Sequence, residues 1–118
     1  MRDIKFRSWN KVSKTMYGNS IYNCKDSFDM QLKHPQIYEV MQYIGLEDKN
    51  GRKIYEGDII TITLDTGNVI TGSVGMNNGQ WSIKYYDRYY SLVSIWYEMQ
   101  PEVIGNIYEN PKVLERKK

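Results

Sequence analysis

The chain has 118 residues, with 16 Lys plus Arg against 14 Asp plus Glu and a net charge of +2 with neutral histidine; that is the length of one domain around one core. Hydrophobic residues at 41% and charged residues at 25% exclude a disordered chain, and a single cysteine, Cys24, excludes an intramolecular disulfide framework. The opening Met1-Arg2-Asp3-Ile4-Lys5 lacks the apolar run of a secretion signal, and no stretch nears the ~18 apolar residues of a membrane span, so a cytoplasmic protein without membrane contact is expected.

Alanine, the best helix former, is absent, while eleven tyrosines, three tryptophans and many Ile, Val and Thr suit half-buried strands. A mainly β fold follows. Ile4-Lys5-Phe6-Arg7 alternates apolar and basic as a strand with one wet face, Asn10 to Lys14 is a polar turn, and Met16-Tyr17 offers a return strand. Residues 18–36 are irregular, and Ser27 to Leu32 reads either as a short helical turn capped by Ser27 or as a loop. Ile37 to Ile44 is a strand closed by Gly45, and Asn50-Gly51 is a tight-turn pair. Ile54-Tyr55-Glu56-Gly57-Asp58 leads into Ile59 to Leu64, the most strand-like run of the chain, which turns through Asp65-Thr66-Gly67-Asn68 into Val69 to Val74. Within that run Gly72 suggests a bulge or bend. Asn77-Asn78-Gly79 turns the chain into Trp81 to Tyr86, Asp87-Arg88 breaks it, and Tyr89 to Tyr97 has two possible registers. Val103 to Tyr108 is a last strand, and Asn110-Pro111 opens a short helical turn.

Strands at this spacing argue for a small barrel, and Gly45–Tyr108 has the length of a five-stranded SH3-like one. The expected organisation is an N-terminal extension over 1–44 packed on it, the SH3-like barrel over 45–111, and a basic tail over 112–118. Core candidates are Ile54, Ile60, Ile62, Leu64, Ile70, Val74, Ile83, Val103 and Ile107.

Three segments carry a resemblance: Met1 to Trp9 (MRDIKFRSW), Met41 to Ile59 (MQYIGLEDKNGRKIYEGDI) and Glu102 to Pro111 (EVIGNIYENP). Together they resemble the YopX family of small phage and prophage proteins, mainly of Gram-positive bacteria. The resemblance implies an SH3-type barrel in the C-terminal part and an accessory role in the bacterial cytoplasm. It implies no reaction, and no catalytic residue is carried over.

The residues themselves speak against chemistry. Cys24 and His34 are the only thiol and imidazole ligands and have no second pair, so neither a structural metal nor any other cofactor is expected. A Cys24–His34 nucleophilic pair rests on the weakest-patterned region, where a lone cysteine is commonly a small buried hydrophobe. Glu56 and Asp58 fall on one face of an extended chain, yet a solvated entry to the following strand explains them more simply than acid–base work. Gly72-Ser73-Val74-Gly75 has no phosphate-loop spacing. The expectation is a protein that is not an enzyme.

Binding is the remaining class. Trp81, Tyr85, Tyr86, Tyr89, Tyr90, Trp96 and Tyr97 crowd one short region, and adjacent tyrosines in a strand must face opposite sides, so some point outward. That surface suits a protein partner or a homo-oligomer. The alternative is nucleic acid, with bases stacked on these rings and backbone contacts from Arg2, Lys5, Arg7, Arg116, Lys117 and Lys118. Charge decides the order. Residues 1–15 carry +4 and 112–118 carry +3, but 45–111 carry −4, the wrong sign for phosphate unless the ends lie beside the aromatics.

Overall fold

Turn chemistry cuts the chain into short strands that pair into two antiparallel sheets, and the fold is mainly β. The structure, a computed structural model, describes residues 5–17, 28–64, 66–92 and 101–114. The first sheet contains β1 (Phe6–Asn10), β2 (Thr15–Tyr17), β3 (Tyr38–Glu47) and β4 (Lys53–Tyr55), in the order β2-β1-β3-β4. The second contains β5 (Asp58–Thr63), β6 (Val69–Asn77), β7 (Gln80–Tyr85), β8 (Arg88–Ser91) and β9 (Glu102–Asn106), in the order β8-β7-β6-β5-β9. It curls into a half-barrel. A six-residue helix, α1 (Phe28–Lys33), packs near β3, and a 3-10 helix (Pro111–Leu114) follows β9.

Side-chain chemistry sets each turn. The β1–β2 hairpin closes because Asn10 Oδ1 accepts the Val12 and Ser13 amides at 2.9 and 3.0 Å. The β6–β7 hairpin has Asn78 and Gly79 at φ 50° and 78°, the left-handed pair that matches strand twist. The helical reading of Ser27–Leu32 is the one realised, over Phe28–Lys33, while Ser27 lies outside the described residues.

The strand expected to stop at Gly45 does not stop. β3 runs on to Glu47, and Gly45, at φ 90°, sits where the β3–β4 register shifts between Tyr43 and Glu47. This left-handed residue bulges the strand without ending it. The two sheets meet after Tyr55, since β4 turns back onto β3 while β5 begins the second sheet.

Gly72 is likewise no bulge. Pairing across β5–β6 is continuous from Ile59↔Ser73 to Thr63↔Val69, but a Cβ at Gly72 would run into the Lys84 carbonyl and the Ile83 side chain. Close approach of β7, not backbone conformation, requires the glycine. The irregularity lies in β9, where the register with β5 shifts between Ile59 and Ile60. A Cβ at Gly105 would there meet the Asn110 side chain, whose Oδ1 accepts the Asn106 amide at 3.2 Å.

The half-barrel encloses Ile54, Ile60, Ile62, Ile70, Val74, Ile83 and Val103, all from the sequence-read core, joined by Ile44 and Leu92. Leu64 is half-buried against them, and Ile107 is half-buried outside this cluster. Ile59, on the opposite face of β5, is equally inaccessible, so β5 is covered on both faces.

Candidate functional site

Pairing of β7 with β8 sorts the aromatic residues. Tyr90 stands opposite Ile83 and Tyr89 opposite Lys84. Ile83 is fully buried, so its face of the hairpin is the inner one, and Trp81, Tyr85 and Tyr90 lie half-buried against the core. Tyr89 takes the outer face at 47% exposure, with Lys84 Nζ 5.9 Å from its ring centre. Tyr86 is 57% exposed in the two-residue loop between β7 and β8, its ring edge-on to Tyr85 at 4.6 Å. Trp96 and Tyr97 lie outside the described residues. Of the five candidates that can be placed, the structure brings two, Tyr86 and Tyr89, to the outside at one hairpin end.

The backbone at that end is unusual. Tyr86 has φ 56°, one of three residues other than glycine with positive φ among the described residues, beside Lys14 and Asn78. Bulky side chains avoid this region. Next to the tip, Tyr86, Lys84, Ser73 and Leu114 line a surface hollow of about 260 Å³. The 3-10 helix contacts β6, and its Leu114 lies beside the exposed Tyr86.

The basic candidates separate. Lys5 is exposed, whereas Arg2, Arg116, Lys117 and Lys118 lie outside the described residues. Arg7 is turned inward: its side chain is 11% exposed and one guanidinium nitrogen donates to Asp58 Oδ1 at 2.7 Å and to the Glu56 carbonyl at 3.2 Å. The same guanidinium lies 4.8 Å from the Tyr55 ring centre. Arg7 is thus occupied within the fold.

Asp58 overturns the expectation of a solvated strand entry. Its side chain is 2% exposed, and its second oxygen accepts the Tyr55 amide at 2.8 Å. Burial pushes its pKa above the ordinary carboxylate value, and Arg7 and the Tyr55 amide pull it only part of the way back. Glu56 Oε1 accepts the Gln42 amide at 2.9 Å. Both carboxylates are engaged within the fold, one with Arg7 and one with β3. Tyr108, stacked at 6.0 Å on Trp9, is pushed up to about 12 by burial and then by Glu39 and Glu56.

Sequence reading missed Asp48, which is buried, accepts the Asn50 and Arg52 amides through Oδ1 at 2.9 and 2.8 Å, and accepts the Val103 amide through Oδ2 at 2.9 Å. Desolvation raises its pKa, but the three amides and Arg52 together outweigh this and leave it lowered. An aspartate two residues before Asn50-Gly51 was the available signal for a turn-capping carboxylate. Nothing local signalled its reach to β9. His34 is half-buried with Nδ1 3.3 Å from the Gln36 side-chain nitrogen Nε2, and Cys24 lies outside the described residues. Among the described residues no three His, Cys, Asp or Glu side chains gather as a metal site, and no helix is long and apolar enough to cross a membrane.

Comparison with known proteins closes the question of kinship. The sequence profile of the YopX protein family matches residues 5–115, nearly the full length. The chain belongs to the YopX family. Among solved structures it is similar to protein EF1440 from Enterococcus faecalis, at 26% identity and TM-score 0.68, over 98% of this chain and 100% of that one. The yopX protein from Bacillus subtilis shares the fold at 18% identity and TM-score 0.63, with both chains covered in full. No curated protein matches.

Proposed function

We propose that the protein acts by non-catalytic binding, to a protein partner or to further copies of itself, with the tyrosines at the β7–β8 hairpin end as the contact. The observation that carries this reading is Tyr86, an exposed aromatic held at φ 56°. An L-residue in this conformation costs about 1–2 kcal/mol, and the Asn78-Gly79 turn one hairpin earlier shows what sequence avoids that cost. Strain kept at an exposed position is an indication of use. Tyr89 and the hydrocarbon stem of Lys84 extend the apolar surface, and an interface between proteins needs no positive field. Resemblance to phage and prophage proteins supports an accessory role in the cytoplasm of a bacterial host.

The test is sedimentation of the purified protein and of a Tyr86→Asn/Tyr89→Ser variant at concentrations on the order of tens of micromolar, near the weak end of specific association. Wild-type protein is expected to associate, and the variant to remain folded and monomeric. A strictly monomeric wild type removes self-association, and a variant that assembles unchanged removes the tyrosines.

One observation favours a second reading. The basic tail follows directly from Leu114, which lines the same hollow as Lys84 and Tyr86. Arg116, Lys117 and Lys118 follow in sequence within four residues of this position, which lies beside the exposed Tyr86 ring, and basic side chains together with aromatic rings suit single-stranded nucleic acid. Anisotropy with a labelled single-stranded oligonucleotide separates the readings: affinity that falls steeply with salt favours nucleic acid.

A further inference from the structure

Where the two sheets meet, a groove of about 460 Å³ opens between the β3–β4 turn, β1 and the end of β9. Three cations line it: Arg7 from β1, Arg52 from the turn and Lys53 from β4. We infer that this groove binds a small anionic ligand through a carboxylate or phosphate group. The volume falls within the range of small-molecule pockets, roughly 300–1,000 Å³.

The hydrogen-bond inventory of the wall gives the sign of the ligand. Most of its acceptors are engaged within the protein, the second oxygen of the exposed Glu109 excepted. Asp58 uses one oxygen for Arg7 and the other for the Tyr55 amide. Asn106 Oδ1 accepts the Tyr108 and Glu109 amides at 3.0 and 2.8 Å, and Glu109 Oε1 accepts from Asn106 Nδ2 at 2.8 Å. The donors are not used up. Arg7 Nε and the Tyr55 hydroxyl are buried without a protein partner. Arg52 is exposed and forms no salt bridge among the described residues, and Lys53 reaches Glu47 only at 3.8 Å. A wall with mostly satisfied acceptors and spare donors fits an oxygen-rich anion, and a guanidinium fork matches carboxylate or phosphate in two-point contact.

Arg52 is the ligand contact that can be tested without disturbing the core, because it sits exposed in the turn and its backbone amide, not its side chain, is what Asp48 holds. Lys53 adds a second charge from the adjacent position. The site is separate from the tyrosine-bearing hairpin end, none of whose residues lines this groove, so this inference and the reading above can fail independently.

The experiment titrates inorganic phosphate and, separately, succinate into the ¹⁵N-labelled full chain against sodium chloride at matched ionic strength, following amide resonances. Saturable shifts are expected at Arg7, Arg52, Lys53 and Asn106, and the anion that saturates first identifies the source as phosphate or carboxylate. Arg52→Ala is expected to weaken that binding about tenfold, a free-energy difference of about 1.4 kcal/mol, while its spectrum elsewhere stays that of the wild type. Shifts that match the chloride control for both anions overturn the inference, as does an Arg52→Ala protein that binds as tightly as the wild type.

Discussion

Asp48 holds three amides from two distant parts of the chain, and Asp58 holds one guanidinium and one amide, yet the two carboxylates titrate in opposite directions. The folded-state pKa of Asp48 lies below the ordinary carboxylate value of 3.8, so its ionised form contributes stability above that pH, and the contribution is lost as pH falls through the folded-state value. Asp58 is raised: its ionised form weighs against the fold at pH above the raised value, and that burden is relieved as pH falls back towards 3.8. Asp48→Asn keeps one acceptor but turns an amide donor towards backbone N–H groups. It is expected to cost about 2 kcal/mol near pH 7 and less once the pH has fallen through the folded-state value of Asp48, where the wild-type carboxylate is itself protonated. Urea denaturation at neutral pH and down through the acid range checks this, and a cost that does not fall with pH would refute it. Tyr55 gives a prediction of the opposite sign. Its hydroxyl is buried without a protein partner, so Tyr55→Phe, which keeps the ring under Arg7, is expected to raise stability by about 1 kcal/mol. At this scale the sequence is a poor guide. Glu56-Gly57-Asp58 looks like a solvated turn because the partner that makes burial of Asp58 tolerable, Arg7, stands far away in the chain. Whether adjacent tyrosines point in or out depends on a register that Tyr89-Tyr90 leaves open, since both residues are equally apolar; pairing with Lys84 and Ile83 settles it.

At the scale of elements the legible strands are those with both alternation and a defined turn. β5, β6 and β7 are bounded by Asp65-Thr66-Gly67-Asn68 and Asn77-Asn78-Gly79, and the core candidates Ile60, Ile62, Ile70, Val74 and Ile83, whose faces the sequence leaves open, all turn into the core. β3 reads too short in the sequence because a glycine after an apolar run looks like a stop, whereas a bulge needs only the same left-handed φ. β9 carries a device that composition hides: on the side away from β5, Asp48 accepts its Val103 amide and Asn110 its Asn106 amide. Side chains thus occupy donors that an edge strand would otherwise present to another chain. β6 offers a controlled comparison between two of its glycines. A Cβ at Gly72 meets the Lys84 carbonyl and the Ile83 side chain, while at Gly75, on the same strand, a Cβ meets nothing within 4 Å. Neither has positive φ. Gly72→Ala must push β6 from β7 and is expected to cost about 2–3 kcal/mol. Gly75→Ala restricts only the unfolded chain and is expected to gain about 0.5 kcal/mol. Chemical denaturation of the two variants decides, and similar values for both would show that close approach is not why Gly72 is a glycine.

For the molecule as a whole the question is what makes two sheets behave as one body. The Gly57 amide donates to the Val74 carbonyl at 2.9 Å, the Lys49 amide reaches the Pro101 carbonyl at 3.1 Å, and Trp9 of the first sheet stacks on Tyr108 beyond the second. The Arg7–Asp58 pair crosses the same seam, with side chains 11% and 2% exposed. A buried ion pair is a weak net contributor, since desolvation of both charges offsets most of their attraction, but removal of one partner leaves the other charge buried alone. Arg7→Met therefore strands ionised Asp58 and is expected to cost about 3–5 kcal/mol. Asp58→Asn, which still offers an oxygen to the Tyr55 amide, strands Arg7 and costs less, because a guanidinium near the groove can turn towards water. The double variant carries no buried charge at this point, so its loss is expected to be smaller than the sum of the two single losses by at least ~1 kcal/mol. The same experiment reports cooperativity. Trp9 lies in the first sheet and Trp81 in the second, while far-ultraviolet dichroism reads both sheets together. Coincident fluorescence and dichroism transitions are expected for the wild type and for the double variant. Additive losses would place Arg7 and Asp58 in separate environments, and transitions that part company in the double variant would make the ion pair, not the backbone bonds and ring stacking, the element that joins the sheets.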